Sequence, residues 1–444
     1  MSPSDIRIFG TTQDNTIAQA VEVRRNALRV ALMADSHLGY VMPVGGVAAY
    51  RNQVSVAGVG YDIACGNCAI RTDLRVESFD RARLEAVADE IQSSISFGVG
   101  RKNKSGNAPV DHPLFESAAW EAIPAPARGA LKEKARAQLG TVGSGNHYVD
   151  LFADAEGRIW VGVHFGSRGL GHTLATGFLA LAKGEKWGAK VREFEALLDL
   201  DSPLGDAYWQ TMALAGEYAY AGREWTTREV VRLLGGTEED LVHNHHNFAW
   251  REKHDGEEVV VVRKGATPAF PGQRGFVGGS MGDISVILQG TGSIADPSDS
   301  QRDAMFSTVH GAGRVMSRTE AIGKSKLTRS WQCGQRDCGG TLPLGTARGA
   351  DGSNPKCPRC GSRMHERNSR ELVREGKVTP AAMQEWLART GVLLRGAGLD
   401  EAPQVYRRLP DVLAAQGSTI EITEVLTPLV VVMAGAEEFD PYKD

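Results

Sequence analysis

The sequence predicts an α+β fold, with one large domain of mixed β-sheets flanked by helices and interrupted by a small insert. Three observations support this prediction. Strand-like segments follow one another in runs and are separate from long helical segments, whereas a strict βαβ fold would alternate them. The 444 residues are enough for one large domain or two. Four of the six cysteines lie in a stretch that is rich in Gly, Pro and Arg and poor in aliphatic residues.

The first 75 residues are predicted to form strands joined by tight, glycine-rich loops, as in VRRNALRVALMADSHLGY. The spacing of apolar residues predicts a helix at 80–95. The polar segment 97–113 is predicted to be a loop. Its basic run, Arg101, Lys102 and Lys104, is either solvated or in contact with a phosphate.

Two further helices are predicted before Gly140, followed by a strand-like segment GTVGSGNHYVDLF and a strand at 158–165. Long helices are expected at 169–185 and 203–235, and strands within 241–290, where EEVVVVRKG is the clearest. A late helix, TPAAMQEWLART, should begin after Thr379, because Pro380 suits the first turn of a helix.

The insert, residues 329–367, divides the predicted core into a first part, 1–328, and a C-terminal part, 368–444. Its cysteines follow the pattern Cys-x4-Cys, 18 residues, Cys-x2-Cys, which is close to a zinc ribbon. We therefore predict a zinc-ribbon-like insert in which a structural Zn²⁺ is bound by Cys333, Cys338, Cys357 and Cys360. The alternative is four reduced cysteines in an irregular loop, which would have little else to order it.

The charge and the N-terminal sequence bear on partners and compartment. A net charge of −4 argues against a protein that coats nucleic acid through bulk positive charge, although a local basic groove is compatible with it. The N-terminus lacks a signal-peptide pattern, and no apolar run is long enough to cross a bilayer. We expect a cytoplasmic protein with no membrane partner, in which closely spaced cysteines bind metals.

Several motifs combine metal-ligand side chains. In GVGYDIACGN, Asp62 and Cys65 form either a cation site or a turn with a buried cysteine. Separate histidines follow in GSGNHYVD, VHFGSRGLGH and HNHHNFAWREKH. Thiolate, carboxylate and imidazole ligands together suit a borderline transition metal and leave room for substrate oxygens, which indicates a catalytic metal site.

Two glycine-rich motifs suit phosphate chemistry. In STVHGAGRVMSR, small residues after His310 let backbone N–H groups face an anion, and Arg314 adds a bidentate donor. A histidine in such a loop can act as a nucleophile toward phosphorus. In FVGGSMGDIS, Ser280 and Ser285 bracket a flexible turn, which on its own is as consistent with an ordinary strand entry.

Taken in order, these motifs resemble the RtcB family of RNA-splicing ligases. The resemblance rests on DxxC, GSGNH, HxGSRGLGH, the HN-aromatic segment, RKGAT, GSMG and HGAGRxMSR, which run from about residue 30 to residue 320. The segments ADSHLGYVMPVGG and LDEAPQVYRRL extend it on both sides, whereas the insert is not covered. The resemblance implies an RtcB-like catalytic domain in both parts of the core.

The resemblance implies a GTP-dependent RNA ligase with two Mn²⁺ ions, which acts in RNA repair or tRNA splicing. Such an enzyme joins an RNA 3′-phosphate or 2′,3′-cyclic phosphate end to a 5′-hydroxyl end through a histidine–GMP intermediate. A helper protein that activates guanylylation is a further partner compatible with this resemblance.

The resemblance also assigns roles to residues. His310 corresponds to the guanylylated histidine, and Cys65 to a thiolate that bridges two metal ions. The implied manganese ligands are Asp62, Cys65, His147, His164 and His246. The implied nucleotide contacts are Asn146, Tyr148, Asp150, Asn247, Ser280, Ser285, Gly311, Ala312, Gly313 and Tyr406. Arg168 and Arg314 are the expected RNA-phosphate contacts.

Four positions depart from the family pattern. Asp150 stands where glutamate is usual, Met433 where a lysine touches the nucleotide, Ala64 where asparagine is common and Cys68 where arginine is common. Asp150 and Met433 favour two alternatives: a metal-dependent RNA-end phosphoesterase, or a divergent paralogue with altered nucleotide use. A non-catalytic RNA-end binding module would not need the metal ligands and His310 together.

The role of the insert remains open at this point. Its arginines either grip the RNA backbone or lie solvated on a rigid lid or docking surface. These arginines are Arg329, Arg336, Arg348, Arg359, Arg363 and Arg367.

Overall fold

The computed structural model describes residues 5–335 and 337–438. Its strands are β1 (Arg7–Ile8), β2 (Arg29–His37), β3 (Val44–Tyr50), β4 (Gln53–Ser55), β5 (Gly66–Arg75), β6 (Tyr148–Ala153), β7 (Arg158–Phe165), β8 (Leu197–Asp199), β9 (Glu238–His245), β10 (Asn247–His254), β11 (Glu257–Lys264), β12 (Ala266–Pro268), β13 (Arg274–Val277), β14 (Ser285–Gly290), β15 (Ser307–Val309), β16 (Gly323–Cys333), β17 (Thr341–Pro343), β18 (Met364–Glu375), β19 (Leu393–Ala397) and β20 (Ile420–Gly435). Its helices are α1 (Asp14–Arg24), α2 (Val56–Val59), α3 (Arg81–Ser94), α4 (Ala125–Gln138), α5 (Arg168–Ala182), α6 (Pro203–Leu234), α7 (Asp299–Asp303), α8 (Arg318–Ile322), α9 (Pro380–Thr390) and α10 (Leu409–Gln416).

The largest sheet has eight strands, seven of them in the order β13-β14-β20-β6-β7-β5-β9, with β19 pairing to β20. Asparagine side chains connect its two ends: Phe276 N–H donates to Asn244 Oδ1, and Asn67 Nδ2 donates to the Phe276 carbonyl, both at under 3 Å. The sheet is therefore curled. A small apolar core that includes Trp160 and Phe276 fills part of it.

A second sheet has five strands in the order β1-β2-β3-β11-β10. Long helices cover both sheets. The helix α6 packs on β5, β7 and α5 and buries Tyr208, Met212 and Tyr218 along one face. Most strand pairs in both sheets are antiparallel, which confirms the predicted α+β class. Across the described ranges, no helix combines the length and apolar character that crossing a membrane requires.

Several predicted elements are confirmed. The helix expected at 80–95 is α3, and the Asp80 side chain accepts a hydrogen bond from Arg83 N–H at its start. The strand expected at 158–165 is β7, and the helix expected at 203–235 is α6. The helix α9 follows Thr379, whose side chain accepts a hydrogen bond from Ala382 N–H.

Other predictions were wrong in part. The first 75 residues also contain the helix α1, whose last residues lie in the segment VRRN that was expected to be a strand. In GTVGSGNHYVDLF only the last five residues form a strand, because residues 140–147 form a loop with Gly140, Gly143 and Gly145 at positive φ. Of the helices expected before Gly140, only α4 is α-helical; Pro113–Glu116 and Ala118–Ala122 are short 3₁₀ helices.

The cysteine-rich insert lies at the end of a long β-ribbon. β16 and β18 pair antiparallel from Gly323 opposite Glu375 to Cys333 opposite Met364, and β17 adds to the outer side of β16. The ribbon thus begins before residue 329 and ends after residue 367. We call residues 323–375 the arm. Arg336, one of the insert's arginines, lies outside the described residues.

Candidate active site

Metal-ligand side chains meet at one end of the curled sheet. Cys65 precedes β5, His147 precedes β6, His164 lies near the end of β7, and His246 follows β9. In the sheet β5 lies between β7 and β9, and β6 pairs with β7. Residues far apart in the sequence therefore project from neighbouring strand ends.

Cys65, His147 and His164 form a compact set of ligand atoms. The Cys65 Sγ lies 3.7 Å from His147 Nε2 and 3.6 Å from His164 Nε2. With a metal–sulfur distance of about 2.3 Å and a metal–nitrogen distance of about 2.0 Å, ligand atoms ~3.6 Å apart subtend a tetrahedral angle. The spacing therefore suits a transition-metal ion between the thiol and either imidazole.

Hydrogen bonds on the far side of each ring orient both imidazoles. His147 Nδ1 lies 2.9 Å from the Val142 carbonyl, which can only accept, so this nitrogen is the donor. His164 Nδ1 lies 2.6 Å from Asn67 Oδ1, and Asn67 is held because its amide donates to a backbone carbonyl. In both rings Nε2 lies near the Cys65 sulfur and is the nitrogen that a metal would bind, as is usual for histidine ligands.

Asp62 and His246 complete the set. Asp62 Oδ2 lies 3.1 Å from His147 Nε2. The His246 ring centroid lies 5.1 Å from that of His164 and 5.0 Å from that of His310. The buried Nδ1 of His246 has no hydrogen-bond partner among the described residues, which is costly unless a ligand satisfies it.

The backbone next to the thiol is held in an unusual conformation. Ala64 has φ +59°, which lies in the left-handed region that asparagine adopts more readily than alanine. The Ala64 N–H donates to the Asn247 carbonyl at 2.7 Å, and the Cys65 carbonyl accepts from His246 N–H at 2.8 Å. These bonds fix the position of Cys65 relative to β10.

Burial controls the protonation of the cluster. It lowers the pKa of His164 and His246 well below the usual range and, with the nearby Asp62 carboxylate, raises the pKa of the Cys65 thiol. Burial would also raise the pKa of Asp62, but the hydrogen bond and charge of His147, with Arg168, hold it at about 2. The site therefore places the neutral imidazoles of His164 and His246 beside the Asp62 carboxylate and the Cys65 thiol. A bound cation would deprotonate the thiol.

The fourth imidazole, His310, is held by a carboxylate whose role was not predicted from the sequence. His310 Nδ1 lies 2.6 Å from Asp35 Oδ2, and the same oxygen accepts from the backbone N–H groups of His310 (2.9 Å) and Gly311 (3.2 Å). Asp35 is fully buried. A proton on Nδ1 would face this carboxylate and would leave the Nε2 lone pair of His310 free.

His310 shares a cavity of about 300 Å³ with all five predicted metal ligands. Most predicted nucleotide contacts also line this cavity, which we call the nucleotide cavity. They are Asn146, Tyr148, Asp150, Asn247, Ser280, Gly311, Ala312, Gly313 and Tyr406.

Three predicted contacts lie elsewhere or are already engaged. Ser285 does not line the nucleotide cavity; it is buried, and its hydroxyl accepts a hydrogen bond from Gly279 N–H. Arg314 lines the cavity, but its guanidinium bonds to the carboxylate of Glu401 at 3.1 Å and to the hydroxyl of Tyr406 at 3.0 Å. Arg168 lines a neighbouring cavity, and its Nη1 lies 3.1 Å from His147 Nδ1.

That neighbouring cavity has a volume of about 410 Å³ and shares part of its wall with the first. Asp62, Asn146, His147, Asn247, Lys264 and Arg318 line both cavities. Arg101, from the basic run at 101–104, also lines the second cavity, as do Lys134 and Arg168. An anionic chain could therefore approach the metal ligands along basic side chains.

Two departures from the family pattern lie in the wall of the nucleotide cavity. Asp150 is buried, its Oδ1 has no hydrogen-bond partner among the described residues, and burial raises its pKa well above the usual range. Met433 and Val431 supply an apolar surface beside it. This part of the wall therefore offers a carboxyl group whose protonated form is favoured by burial, beside a thioether that carries no charge.

The comparisons with known proteins bear on this arrangement. The model of the family described as "tRNA-splicing ligase RtcB" matches residues 16–335. The chain belongs to the RtcB family. It is 32% identical over 319 residues to "RNA-splicing ligase RtcB" of Escherichia coli K12, which covers 66% of this chain and 75% of that protein.

Archaeal relatives agree with this assignment. The chain is 32% identical over 366 residues to "tRNA-splicing ligase RtcB" of Archaeoglobus fulgidus, covering 67% of the chain and 74% of the relative. With the protein of the same name from Thermococcus kodakarensis it is 31% identical over 382 residues, covering 70% and 78%. The RtcB family match includes all five predicted manganese ligands and His310.

The four cysteines of the arm form a second cluster, within 4.8 Å of one another. Cys333 Sγ lies 3.4 Å from Cys360 Sγ, and Cys338 Sγ lies 3.6 Å from Cys357 Sγ. Gly339 and Gly361, which follow the second and fourth cysteines, both have positive φ, as tight turns around a metal require. The cluster therefore has the donor set and the turns of a structural zinc site.

The sequence prediction missed several residues that support the RtcB site. Asp35 holds His310, and Asn67 holds His164. Lys264 lines both cavities, and Arg223 of α6 bonds to the backbone of the Cys65 loop. Lys264 falls within the RKGAT motif, so a signal for it existed. Asp35 and Asn67 also fall within quoted segments, ADSHLGYVMPVGG and GVGYDIACGN, but their roles, like that of Arg223, depend on distant contacts.

Proposed function

We propose that this chain joins RNA 3′-phosphate or 2′,3′-cyclic phosphate ends to 5′-hydroxyl ends through a His310–GMP intermediate. Membership in a family of RNA-splicing ligases supports RNA ligation. One observation supports the histidine chemistry: the His310 imidazole, held by Asp35, shares one cavity with five metal-ligand side chains. A nucleophile next to a metal cluster is what nucleotidyl transfer to histidine requires.

The proposed reaction has three transfers. The Nε2 lone pair of His310 attacks the α-phosphorus of GTP, a P–N bond forms, and pyrophosphate leaves. An oxygen of the RNA 3′-phosphate then attacks the same phosphorus, and the P–N bond breaks. Finally the 5′-hydroxyl oxygen loses its proton and attacks the RNA phosphorus, which releases GMP and forms the phosphodiester bond. A cyclic phosphate is first opened by water.

The residues of the chain have defined parts in these steps. Asp35 stabilises the positive charge that develops on the imidazole when Nε2 bonds to phosphorus, because its carboxylate faces Nδ1 at 2.6 Å. The loop Gly311–Gly313 and the side chains of Asn146 and Asn247 line the cavity where the nucleotide phosphates would lie. Arg168 and Lys264, in the wall of the neighbouring cavity, would bind RNA phosphates.

Two Mn²⁺ ions would be held by the Cys65 sulfur together with Asp62, His147, His164 and His246, whose ligand groups lie close to one another. When bound, such ions neutralise phosphate charge and hold reacting oxygens in line. A structural Zn²⁺ in the four-cysteine cluster of the arm would make a separate contribution, which is to order the arm.

Intact-protein mass spectrometry tests this proposal. After incubation with GTP and Mn²⁺, the protein should gain the mass of one GMP, and His310→Asn should gain none. His365→Asn, which changes an exposed histidine of the arm, is the matched control and should still be modified. Guanylylation of His310→Asn, or modification at another residue, would refute the assignment.

Asp150 and Met433, which depart from the family pattern in the cavity wall, favour a second candidate, in which the metal site acts without GTP. The same experiment with each of the four nucleoside triphosphates separates the candidates. A mass gain of one AMP from ATP, in place of GMP from GTP, would indicate altered nucleotide use. No mass gain with any nucleotide, together with phosphate release from RNA 3′-ends, would indicate a phosphoesterase.

A further inference from the structure

The arm differs in charge from the rest of the molecule. Residues 323–375 contain eleven Lys and Arg against five Asp and Glu, which gives the arm a charge of +6 in a chain whose net charge is −4. The remainder of the chain is therefore acidic. Such segregation of charge concentrates the attraction for a polyanion on one projecting element.

The basic side chains of the arm are available to a partner. Those that the structure describes as exposed are Lys324, Lys326, Arg329, Arg348, Lys356, Arg359, Arg363, Arg367 and Arg374. Arg329 pairs with Glu366 at 3.4 Å, and Arg348 lies over the Trp331 ring at 5.1 Å. The large aromatic side chain of the arm, Trp331, is buried, so the exposed surface suits phosphates better than stacked bases.

The base of the arm is attached directly beside the active site. The helix α8, which precedes β16, contributes Arg318 to the lining of both cavities. Arg374 donates to the Thr319 carbonyl of that helix at 3.3 Å, and Lys377 pairs with Glu320 at 3.0 Å. The arm therefore begins next to a helix that lines both cavities.

The arm has the length and the internal support to act as an extended platform. An eleven-residue strand such as β16 spans about 33 Å. Its far end is closed by the four-cysteine cluster and by a small core of Trp331, Cys357 and Met364. A ribbon supported at both ends keeps its basic side chains in fixed positions.

We propose that the arm binds the phosphate backbone of the RNA strand whose 3′-end lies in the active site. The inference rests on the proposed function, because RNA is the polyanion that reaches this cavity. The contacts are to phosphates, so binding by the arm is independent of sequence and depends on the length of the RNA. An RNA of a few nucleotides reaches only the cavity, whereas a longer RNA also reaches the arm.

A triple variant tests the proposal: Lys356→Gln, Arg363→Gln and Arg367→Gln, which removes three charges and leaves the cysteines intact. Its control is Arg25→Gln, Arg51→Gln and Lys253→Gln, three exposed core residues that line neither site cavity. Affinity for a 25-nucleotide and a 4-nucleotide RNA with 3′-phosphates is measured by fluorescence anisotropy at several salt concentrations. Zinc content verifies that the arm of each variant is folded.

We expect the arm variant to bind the long RNA at least about tenfold more weakly at low salt. The slope of log affinity against log salt should become shallower by about 2, since each single-strand phosphate contact contributes ~0.7. Affinity for the short RNA and guanylylation should be unchanged, and the core variant should match the parent.

Unchanged affinity of the arm variant for the long RNA, or an equal loss in the core variant, would overturn the proposal. An equal loss for short and long RNA would also overturn it. The two proposals fail separately, because RNA binding is measured without GTP. A parent protein that binds RNA through the arm yet is never guanylylated would contradict the proposed function alone.

Discussion

Asp35 and His310 are 275 residues apart in the sequence, yet one carboxylate oxygen of Asp35 faces both the imidazole and the backbone of His310. We expect Asp35→Asn to retain metal binding and the fold but to slow guanylylation by about 100-fold or more, because an amide does not stabilise the imidazolium-like state. Quench-flow measurement of protein-bound GMP gives the rate, and calorimetric titration with Mn²⁺ gives the metal affinity.

Asp283 offers a matched control for this substitution. It is also a buried aspartate, but it pairs with Arg408 away from His310. Asp283→Asn should lower stability without a comparable loss of transfer rate per folded molecule. If Asp35→Asn transfers GMP at the parent rate, the carboxylate has no part in the chemistry.

Lys264 provides a pH dependence. Burial lowers its pKa to about 8, despite the opposing charges of Glu193 and Glu195. Below pH 8 the ammonium group is charged and attracts phosphate, and above pH 8 it is neutral. Affinity for RNA with a 3′-phosphate should therefore fall as pH rises above about 8, by up to tenfold per pH unit.

Anisotropy titrations between pH 7 and pH 9.5 check this expectation. Lys264→Met should bind more weakly at pH 7 and should lose the decline above pH 8. Lys183→Met, a change at an exposed lysine outside both cavities, should keep the parent profile. A parent protein with constant affinity over this range would show that Lys264 does not bind the phosphate.

Individual site residues could be predicted from the sequence where a metal-binding or nucleophilic residue type lies in a recognisable motif. Cys65, His147 and His164 were predicted from such motifs, and the structure brings their ligand atoms together. Ser285 was predicted from a motif too, but its side chain faces the turn of Gly279. Asp35 lies in the segment ADSHLGYVMPVGG, but its role was not predicted, because that role arises only from contact with a loop 275 residues away.

The long helix α6 supports the active site through one side chain. Arg223 is fully buried and donates to the carbonyls of Ala64 (2.8 Å) and Phe165 (2.7 Å). It also bonds to His243 at 2.8 Å and His245 at 2.9 Å. Burial, followed by the charge of Arg223, keeps the pKa of both histidines well below the usual range, so they serve as neutral acceptors.

We expect Arg223→Met to lower the free energy of unfolding by about 3 kcal/mol or more, since several buried acceptors lose their donor. Mn²⁺ affinity should fall as well, because the Ala64–Cys65 backbone loses its anchor. Arg228→Met, at an exposed ion-paired position on the same helix, should change stability by about 1 kcal/mol or less. Urea unfolding with and without Mn²⁺ measures both effects. Equal urea midpoints for Arg223→Met and Arg228→Met would contradict this role for α6.

Elements with strong local signals were predicted well. The helix α3 has an Asp80 cap and regular apolar spacing, and α9 has threonine and proline at its start. The helix α1 was missed because its buried face consists of the small or polar residues Thr16 and Ala20 with Val23, which give little apolar periodicity. The long strands of the arm were not predicted, since their exposed polar residues lack the alternation of a half-buried sheet.

In the whole molecule the arm is an addition to a complete core. Gly323 and Glu375 are paired residues at its base, and Gly376 packs against the backbone of Ile322 and Gly323. Paired residues of antiparallel strands have Cα atoms only about 5 Å apart, so a two-residue Asn-Gly turn can join them. The curled sheet, both cavities and His310 lie outside the excised segment.

We therefore expect a variant in which Asn-Gly replaces residues 324–374 to fold, to bind Mn²⁺ and to be guanylylated at close to the parent rate. It should contain no zinc, and it should join short RNAs normally while long RNAs lose the extra affinity that the arm supplies. Zinc analysis, thermal unfolding and ligation of RNAs of 4 and 25 nucleotides measure these properties. A control with Ser at the four cysteines should keep the arm's charge but lose its order. Its affinity for long RNA should therefore lie between that of the parent and that of the excised variant. If the excised protein is folded but is not guanylylated, the arm takes part in forming the nucleotide site and is not a separate RNA-binding element.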